Sequence, residues 1–498
     1  MKFSAEQKLA YDKYIQGKNI FITGPGGTGK SALIKRIRDH AFSNGLDIHV
    51  CALTGCAAVL LECNAKTLHS WAGIGLGNGS TEYYIDKIKK NPFSKAIWKE
   101  TDLLIVDEVS MMSQKMFEML DAIGKAIRKS RKPFGGIQLI FSGDFYQLPP
   151  VGDREIPETV NFCFESAEWF NVFPKKDHVI MNKNFRQSDP VYQRILNQTR
   201  EARLKRSGYE ILMQHVGKTV PPDLIIKPTQ LYPTRARVDN INYCEMSLLE
   251  GESRRFEVIE QRDLKMTQTE KIFRRNFTPE KVQLELDYLK GNLLCDVKLD
   301  LKIGSQVMCI VNIKDDIGKL ELCNGSQGVV IDFCSIVTPE GESSVKYPLV
   351  KYTNGVEKIM FPHTWLSENI PGVGVSQIPL ILAWALTIHK SQGATLDCAQ
   401  IDAGSGIFEC GQTYVALSRV KSVHGLYLTS FDPKRIRINK KVREFYEEIE
   451  EVFAPIREEI NLNHNSDEEV EVEVEAVAVP VAIPVAEEVI MEEYDDSE

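Results

Sequence analysis

A glycine-rich segment near the start of the chain has the residue types and the spacing of a loop that binds phosphate. The segment GPGGTGKS fits the pattern G-x-x-x-x-G-K-[ST]. Its residues are Gly24, Pro25, Gly26, Gly27, Thr28, Gly29, Lys30 and Ser31. Glycines allow successive backbone N–H groups to point at phosphate oxygens, and a helix that follows adds the positive end of its dipole. Lys30 is then predicted to bridge the β- and γ-phosphates of a nucleotide, and Ser31 to bind Mg²⁺.

Two adjacent carboxylates follow an apolar segment further along the chain. Leu103–Val106 is predicted to be a buried strand, and Asp107 and Glu108 come directly after it. Asp107 would hold Mg²⁺ through water, and Glu108 would polarise the water that attacks the γ-phosphate. Strands often end in acidic turns, so the pair is informative mainly because it follows a complete phosphate-binding loop.

The segment Ser142–Pro150 (SGDFYQLPP) ends the next predicted strand with further polar and aromatic groups. Gln147 is predicted to sense the γ-phosphate through its amide. Phe145 and Tyr146 would either stack on nucleic-acid bases or pack in the core, and their residue types leave both interpretations open.

Two arginines are candidates for stabilising the charge that develops when a γ-phosphate is transferred. They are Arg186, in the segment NFRQ, and Arg419, in the segment ALSR. We expect both to reach the nucleotide from a second domain, as arginine fingers do. Their spacing alone favours surface arginines in salt bridges, and the case for arginine fingers rests on the family resemblance described below.

Strands that alternate with helices must position these residues. Helical spacing follows the glycine-rich segment at Ser31–Phe42 and recurs at Gln114–Lys129. The predicted strands of this part of the chain are Asn19–Thr23, His49–Leu53, Leu103–Val106 and Ile137–Ser142. Because such alternation is typical of a parallel sheet covered on both faces, we predict an α/β domain over residues 1–185.

Later segments predict a second α/β domain with an insertion. One strand is predicted within Asp223–Tyr232, and further strands at Leu380–Ile388, Ala399–Ile401 and Gly425–Leu428. Between them, Leu299–Trp365 contains short β-strand patterns and the turn signals Asn324-Gly325 and Asn354-Gly355. This pattern predicts a small β-barrel-like insertion in the second domain.

The negative charge of the chain is concentrated at its C-terminal end. The 498 residues include 60 Lys and Arg and 69 Asp and Glu, for a net charge of −9. Ser466–Glu498 contains 13 acidic residues and no Lys or Arg, which leaves 60 basic and 56 acidic residues elsewhere. That balance permits a nucleic-acid-binding groove. Residues 463–498 are predicted to form a disordered acidic tail, which would be available to a protein partner.

Composition also limits the class of protein. The eleven cysteines form no Cys-x-x-Cys pair, which favours buried free thiols over a zinc site. The longest apolar run, Ala476–Ala486, is interrupted by proline and too short to cross a bilayer. We therefore expect a soluble, intracellular protein that does not associate with a membrane. Nuclear, cytosolic and viral settings stay open.

The order of the motifs resembles that of the petite-integration-frequency (PIF) helicases, the RecD-like branch of superfamily 1. The resemblance extends from Phe3 to about Phe453. The matching segments are SAEQ at 4–7, LTGCAA at 53–58, TLHSW at 67–71, EVSMM at 108–112, GDFYQLPPV at 143–151, NFRQ at 184–187, AWALTIHKSQGATLD at 383–397 and QTYVALSRV at 412–420. The last two segments are the most specific for this family.

The resemblance implies a set of site residues around ATP and Mg²⁺. The residues implied in catalysis are Lys30, Glu108, Gln147, Arg186 and Arg419. Those implied in nucleotide binding are Gln7, which would contact the adenine, the segment 24–31, Gln392 and Gly393. The metal would be bound by Ser31 and Asp107. The residues implied in DNA binding are Thr54, Gly55, His69, Trp71, Phe145, His389 and Ser391.

The resemblance also implies an α/β fold with two RecA-like P-loop domains. The first, domain 1A, would span residues 1–185, with a strand-separating wedge near 72–98. The second, domain 2A, would span 186–255 and 379–455, with an SH3-like β-rich domain 2B at 256–378. The partners would be single-stranded DNA and forked duplex DNA, with movement from 5′ to 3′ and with the monomer as the expected state.

Three functions are compatible with these features. The first is an ATP-dependent DNA helicase that acts in replication, repair or recombination. The second is the helicase part of a larger nuclease or relaxase complex, whose nuclease or relaxase a partner would supply. The third is a DNA-stimulated ATPase that remodels complexes without separating strands. Deletion of Gly75–Gly79 in the wedge should abolish unwinding but spare translocation only in a true helicase.

Overall fold

The structure is a computed structural model of the chain. It describes residues 3–54, 57–58, 61, 63, 65–75, 77, 79–153, 155–221, 226–291, 293, 295–314, 320–322, 324–338, 341–367 and 370–462. Residues up to 452 form one compact unit, and the residues from 453 onward form another. The predicted acidic tail at 463–498 lies outside the described residues.

Helices are distributed along the whole described chain. Their bounds are α1 Ala5–Ile15, α2 Lys30–Ser43, α3 Leu68–Ala72, α4 Thr81–Lys90, α5 Pro92–Glu100, α6 Gln114–Arg128, α7 Trp169–Val172, α8 Pro190–Arg200, α9 Arg206–Met213, α10 Arg235–Leu248, α11 Gln268–Arg274, α12 Pro279–Gly291, α13 Gln412–Leu417 and α14 Lys440–Leu462. Among the residues described, none of these helices has the length and apolar character needed to span a membrane.

Strands β1 to β6 form a parallel sheet in the order β3-β2-β4-β5-β1-β6. Their bounds are β1 Ile20–Thr23, β2 Ile48–Ala52, β3 Lys66–Thr67, β4 Leu103–Asp107, β5 Gln138–Ser142 and β6 His178–Ile180. All side chains of β1 and β4 are buried, as expected for strands covered on both faces. The four strands predicted for this part of the chain are therefore confirmed. β3 and β6, which have only two and three residues, were missed.

The remaining strands lie after residue 228. Their bounds are β7 Thr229–Tyr232, β8 Arg254–Glu257, β9 Ile259–Gln261, β10 Lys298–Leu301, β11 Gln306–Cys309, β12 Ile313–Lys314, β13 Leu320–Leu322, β14 Gln327–Thr338, β15 Gly341–Tyr352, β16 Glu357–Ile359, β17 His363–Leu366, β18 Gly374–Gln377, β19 Leu380–Leu382, β20 Ala385–Thr387, β21 Ala399–Ala403 and β22 Leu426–Phe431.

A second parallel sheet has the order β20-β7-β21-β22, which confirms the second α/β sheet. The predicted strand Leu380–Ile388 is wrong as a single element. Its first part, β19, pairs antiparallel with β11, whereas its second part, β20, pairs parallel with β7. The side chain of Asn242 fixes the start of β20, because its amide bonds both the N–H and the carbonyl of Ala385.

The segment between β7 and β20 is rich in antiparallel strands. Its largest sheet has the order β16-β15-β14-β11-β19, and smaller sheets pair β17-β18-β9, β10-β8 and β12-β13. The β-rich insertion is thus confirmed as a segment within the second α/β part of the chain. The boundaries proposed for it, 256 and 378, stay predictions.

The C-terminal helix α14 packs against the first sheet. Its residues Val442, Phe445 and Ile449 belong to the same buried cluster as Phe21 and Trp169. The assignment of all of 379–455 to the second domain is therefore wrong for this helix. The physical reason is an apolar face whose aromatic ring, Phe445, is buried among the aromatic residues of the first sheet.

Candidate functional site

The glycine-rich loop joins β1 to α2 at the carboxyl edge of the first sheet. Two of its glycines have no room for a side chain. A Cβ on Gly24 would lie 2.2 Å from the carbonyl oxygen of Met181, and one on Gly27 would lie 2.6 Å from the Cβ of Arg186. Both also have left-handed φ angles, 140° and 87°, which favour glycine. The loop is therefore held tightly between its own sheet and the segment that follows β6.

Lys30 begins α2, and its ammonium group lies inside the loop. Its Nζ donates to the carbonyl oxygens of Gly24, at 2.7 Å, and Pro25, at 3.0 Å. Burial lowers the pKa of Lys30, and the carboxylates of Asp144, Glu108 and Asp107 oppose that shift. A cation surrounded by a loop of backbone N–H groups and hydroxyls suits a phosphate chain.

Ser31 and Asp107 come together at the same edge. Asp107 is the last residue of β4 and is buried, and burial raises its pKa. Hydrogen bonding to the Ser142 side chain, the charge of Lys30 and hydrogen bonding to the Ser31 side chain act in the opposite direction. The pair supplies one hydroxyl and one carboxylate oxygen, which are ligands that Mg²⁺ accepts. The residues present therefore fit the predicted metal.

Glu108 has an uncommon backbone conformation that turns its side chain into the site. Its φ of 56° and ψ of 39° are left-handed, and a short 3₁₀ helix at Val109–Met111 follows. Burial, and then the neighbouring Asp107 carboxylate, raise the pKa of Glu108 to about 7. A carboxylate of that basicity is suited to accept a proton from water near neutral pH.

Gln392, from the second sheet, contacts the Glu108 carboxylate. Its Nε2 donates to Glu108 Oε2 at 3.1 Å and lies 3.5 Å from Gln147 Oε1. Gln392 lies in the connection from β20 to β21, whereas Glu108 and Gln147 follow β4 and β5. Three of the predicted site residues thus meet between the two sheets. We call this space, lined by the 24–31 loop and by Gln392 and α13, the cleft.

The two predicted arginines also converge on the cleft. A Cβ on Gly26 would lie 3.4 Å from Arg186 Nη1 and 3.6 Å from Arg419 Nη2. Arg419 is 2% exposed, and its Nε donates to the carbonyl of Val415 at 2.9 Å. Burial, and then Arg186, lower the pKa of Arg419 to about 9. One buried and one half-buried cation held this close form a site for a polyanion.

The expectation that both arginines reach across from the second domain is wrong for Arg186. This residue follows β6 of the first sheet, and the N–H of the preceding Phe185 donates to the carbonyl of Gly27 at 2.8 Å. Arg186 therefore lies on the same side of the cleft as the loop. Its guanidinium extends to the carbonyl of Ser418, at 3.2 Å, and so meets Arg419 from the opposite side.

Gln7 and Gly393 complete the predicted nucleotide residues. The Nε2 of Gln7 lies 3.4 Å from the carbonyl of Gly29, and its Oε1 accepts the N–H of Ser4, which caps α1. Gln7 is thus positioned beside the loop by a capping interaction. Gly393 follows Gln392 in a left-handed turn, with a φ of 83°.

The predicted DNA contacts are only partly accessible. Thr54 and His69 line a cavity of about 460 Å³ at the carboxyl edge of the first sheet. His389 is half-buried, and Lys390 beside it is exposed. Gly55 lies outside the described residues.

Three of those predicted contacts are buried. Trp71 is 1% exposed with its ring 4.4 Å from that of Trp98, and Phe145 is 2% exposed in an aromatic cluster. Neither ring has a free face, so the hypothesis that they stack on bases is wrong for this conformation. Ser391 is fully buried, and its hydroxyl donates to the carbonyl of Ile388 at 2.8 Å, so direct contact with DNA is not supported either.

Sequence reasoning missed a buried polar network behind the loop. Arg200 of α8 forms a two-point ion pair with Asp144 after β5, with distances of 2.9 and 2.7 Å. The Tyr446 hydroxyl of α14 lies 2.5 Å from Thr23 Oγ1 and accepts the N–H of Phe145 at 3.1 Å. Burial opposes the charge of Arg200, but Asp144 outweighs it and raises its pKa. Asp144 lies in a matched motif, whereas Arg200 and Tyr446 carry no sequence signal.

Comparison with known proteins identifies the family. A family model described as PIF1-like helicase matches residues 2–217, and one described as DNA helicase Pif1, 2B domain matches residues 286–333. The ATP-dependent DNA helicase PIF1 of Emericella nidulans is 35% identical over 481 residues, which cover 86% of this chain. The chain spans 61% of that relative's length.

Solved structures agree with this result. The crystal structure of Pif1 helicase from Candida albicans is 35% identical, with a TM-score of 0.69, and the match covers 90% of this chain and 100% of that one. The Bacteroides Pif1 helicase in complex with ADP-AlF3 and single-stranded DNA is 26% identical, with a TM-score of 0.59 over 91% of this chain and 98% of that one. The resemblance found in the motifs and the two-sheet α/β fold are therefore confirmed. The chain belongs to the PIF1-like helicase family of superfamily 1.

Proposed function

We propose that the chain is an ATP-dependent DNA helicase that hydrolyses ATP in the cleft and moves from 5′ to 3′ on single-stranded DNA. One observation carries the proposal. Groups from both sheets converge on the cleft, because Gln392 contacts Glu108 while Arg186 and Arg419 meet at Gly26. A site shared between two halves of a protein links the state of its nucleotide to the relative position of those halves, which a motor requires.

The residues of the cleft have separate tasks in this proposal. The loop N–H groups and Lys30 bind the phosphate chain, and Ser31 and Asp107 hold Mg²⁺, which neutralises charge on the phosphates. Glu108 accepts a proton from the attacking water, and Gln147 and Gln392 orient that water and the γ-phosphate. Arg186 and Arg419 stabilise the negative charge that develops on the transferred phosphoryl group.

DNA is proposed to bind at the carboxyl edges of the sheets, where Thr54, His69 and His389 lie. The Bacteroides relative was solved with single-stranded DNA, which supports this class of ligand. The helix α4 and most of α5 fall in the segment proposed as the wedge at 72–98. The domain limits given above, apart from the assignment of α14 to the second domain, belong to the same proposal, as do forked duplex as a substrate and action as a monomer.

The rate of ATP hydrolysis with and without single-stranded DNA tests this function. We expect DNA to stimulate hydrolysis by the full chain in the presence of Mg²⁺, and we expect no activity in Lys30→Ala. Thermal unfolding of Lys30→Ala should match that of the wild type, since Lys30 is charged and contributes little apolar packing. A rate that does not respond to DNA would contradict the proposal.

A further inference from the structure

Tyr414 joins the two sides of the cleft through a single hydroxyl group. It lies on α13, is 2% exposed, and belongs to the second-sheet side of the chain. Its hydroxyl oxygen accepts the backbone N–H of Gly26 at 2.9 Å. Because Gly26 is in the phosphate-binding loop, this bond connects α13 to the loop and does not stabilise α13 internally.

The hydroxyl of Tyr414 has an unused donor. A phenol can accept hydrogen bonds and donate one. Its oxygen is used by Gly26, yet among the residues that the structure describes no acceptor takes its hydrogen. Burial, and then Asp144, raise the pKa of Tyr414 to about 12, so the proton is retained at neutral pH. A buried donor without an acceptor is costly, which points to an acceptor supplied by a ligand.

The surroundings of Gly26 indicate which ligand atom this is. Arg186 Nη1 and Arg419 Nη2 lie 3.4 and 3.6 Å from the place of a Cβ on this glycine, and Ser418 Oγ lies 3.8 Å from it. Arg186, Arg419 and Tyr414 therefore point donors at one small region of the loop. Such a cluster of donors matches the terminal phosphate oxygens of a nucleoside triphosphate, which a diphosphate lacks.

We propose that Tyr414 is a further residue that binds the γ-phosphate, with its O–H donated to a γ-phosphate oxygen. This inference rests on the proposed ATP hydrolysis. α13 begins at Gln412 and its C-terminal end leads to Arg419, so a contact at Tyr414 also fixes the helix that presents this arginine. The hydroxyl thereby distinguishes ATP from ADP and keeps Arg419 in place in the ATP state.

The variant Tyr414→Phe removes only the hydroxyl and keeps the ring that packs in the core. Tyr192→Phe is the matched control. Tyr192 is also fully buried, and its hydroxyl donates at 2.8 Å to the carbonyl of Leu417 on the same helix, away from the loop. Each variant loses one buried tyrosine hydroxyl bond between α13 and another element, but only Tyr414→Phe loses the donor near Gly26. Thermal unfolding of both proteins checks that the fold is kept.

The test compares nucleotide binding and hydrolysis in these two variants. Equilibrium affinity is measured for fluorescent ADP and for its complex with AlF4⁻, and kcat and KM for ATP are measured with saturating single-stranded DNA. For Tyr414→Phe we expect affinity for the AlF4⁻ complex and kcat each to fall about tenfold or more, the usual loss for a hydrogen bond to a charged group. Affinity for ADP and KM should change less than about twofold, and Tyr192→Phe should resemble the wild type.

Two results would overturn the inference. One is an equal loss of affinity for ADP and for the AlF4⁻ complex in Tyr414→Phe. That result would mean that Tyr414 only holds the two sides of the cleft together and does not contact the γ-phosphate. The other is an unchanged affinity of Tyr414→Phe for both ADP and the AlF4⁻ complex. If the wild type failed to hydrolyse ATP when DNA is added, the proposed function would fail, but the two binding constants would still decide the role of Tyr414.

Discussion

Asp107 and Glu108 show how the backbone of one residue determines the chemistry of a pair. Successive side chains of a strand point to opposite faces, so two adjacent carboxylates at a strand end would normally diverge. The left-handed conformation of Glu108 turns the chain directly after β4. Such a conformation costs about 1–3 kcal/mol in a residue other than glycine and is typical of functional sites. It allows Asp107 and Glu108 to serve the same cleft.

Glu108→Gln is expected to bind ATP normally and to stop turning it over. The amide keeps the size of the side chain and can still bond Gln392, but it cannot take a proton from water. We expect kcat to fall by about 100-fold to 10,000-fold, the usual contribution of a general base. The rate of ATP hydrolysis is measured with single-stranded DNA present, and nucleotide affinity is measured by the binding of fluorescent ADP. Hydrolysis near the wild-type rate would remove Glu108 from the role of base.

Arg186→Ala and Arg419→Ala are each expected to lower DNA-stimulated hydrolysis roughly a thousandfold, as loss of an arginine finger does. Affinity for ATP should fall much less, because the charge they stabilise is greatest in the transition state. Arg194→Ala, on the outer surface of α8, is a control that should leave the rate unchanged. If either variant hydrolyses ATP within a few-fold of the wild type, that arginine is structural.

At the scale of elements, the sequence predicted the strands of the first sheet that are longer than three residues, but it missed the buried strand β18 of the insertion. Leu103–Val106 and Ile137–Ser142 were recognised because an apolar run before a turn is typical of a covered parallel strand. Leu380–Ile388 was one apolar run, and nothing in it revealed that β19 and β20 pair in different sheets. The break depends on Asn242, which lies more than a hundred residues earlier.

The buried polar network behind the loop could not have been predicted either, because its contacts join residues that are far apart in the sequence. Asp144, Arg200 and Tyr446 come from three separate elements, and only the fold brings them together. Likewise Trp71 and Phe145 lie in motifs that suggest contact with DNA, yet an aromatic residue is also a good core residue. Their residue types could not distinguish these two settings, and burial decided in favour of the core.

Arg200→Leu is expected to lower the free energy of unfolding by about 3–5 kcal/mol, because it leaves the buried Asp144 carboxylate unpaired. The control is Arg206→Ala, which breaks the ion pair with Glu210 at 2.9 Å between side chains that are 83% and 56% exposed. An exposed pair contributes about 0–1 kcal/mol, so this control should be nearly neutral. Denaturant unfolding measures both. A cost below about 1 kcal/mol for Arg200→Leu would show that the pair is dispensable for stability.

At the scale of the whole molecule, two parallel sheets face each other across one cleft. Contacts between them are made by Gln392 with Glu108, by Tyr414 with Gly26, and by Arg186 and Gln187 with the carbonyl of Ser418. The helix α14 adds a further connection, since it follows the second sheet in the chain and packs on the first. A change of nucleotide at the loop would therefore alter contacts made by both sheets.

Removal of residues 464–498 is expected to leave the rate of ATP hydrolysis unchanged and to tighten binding of single-stranded DNA at low salt. The reason is charge, since the 13 acidic residues after Ser466 are tethered to a body with 60 basic and 56 acidic residues. Tethered carboxylates compete with phosphates for the same cations, and salt screens that competition. Affinity is measured for both chains at low and physiological salt. Equal affinity at both would leave the tail as a solubilising segment or a partner site.

Strand separation on forked DNA is the decisive measurement of whether this protein is a helicase. A duplex with a single 5′ tail or a single 3′ tail is mixed with the full chain, ATP and Mg²⁺, and release of the displaced strand is measured. We expect release from the fork with the 5′ tail, no release from the fork with the 3′ tail, and no release by Lys30→Ala or without ATP. Hydrolysis that DNA stimulates, without strand release from either fork, would contradict this expectation and favour an ATPase that remodels complexes.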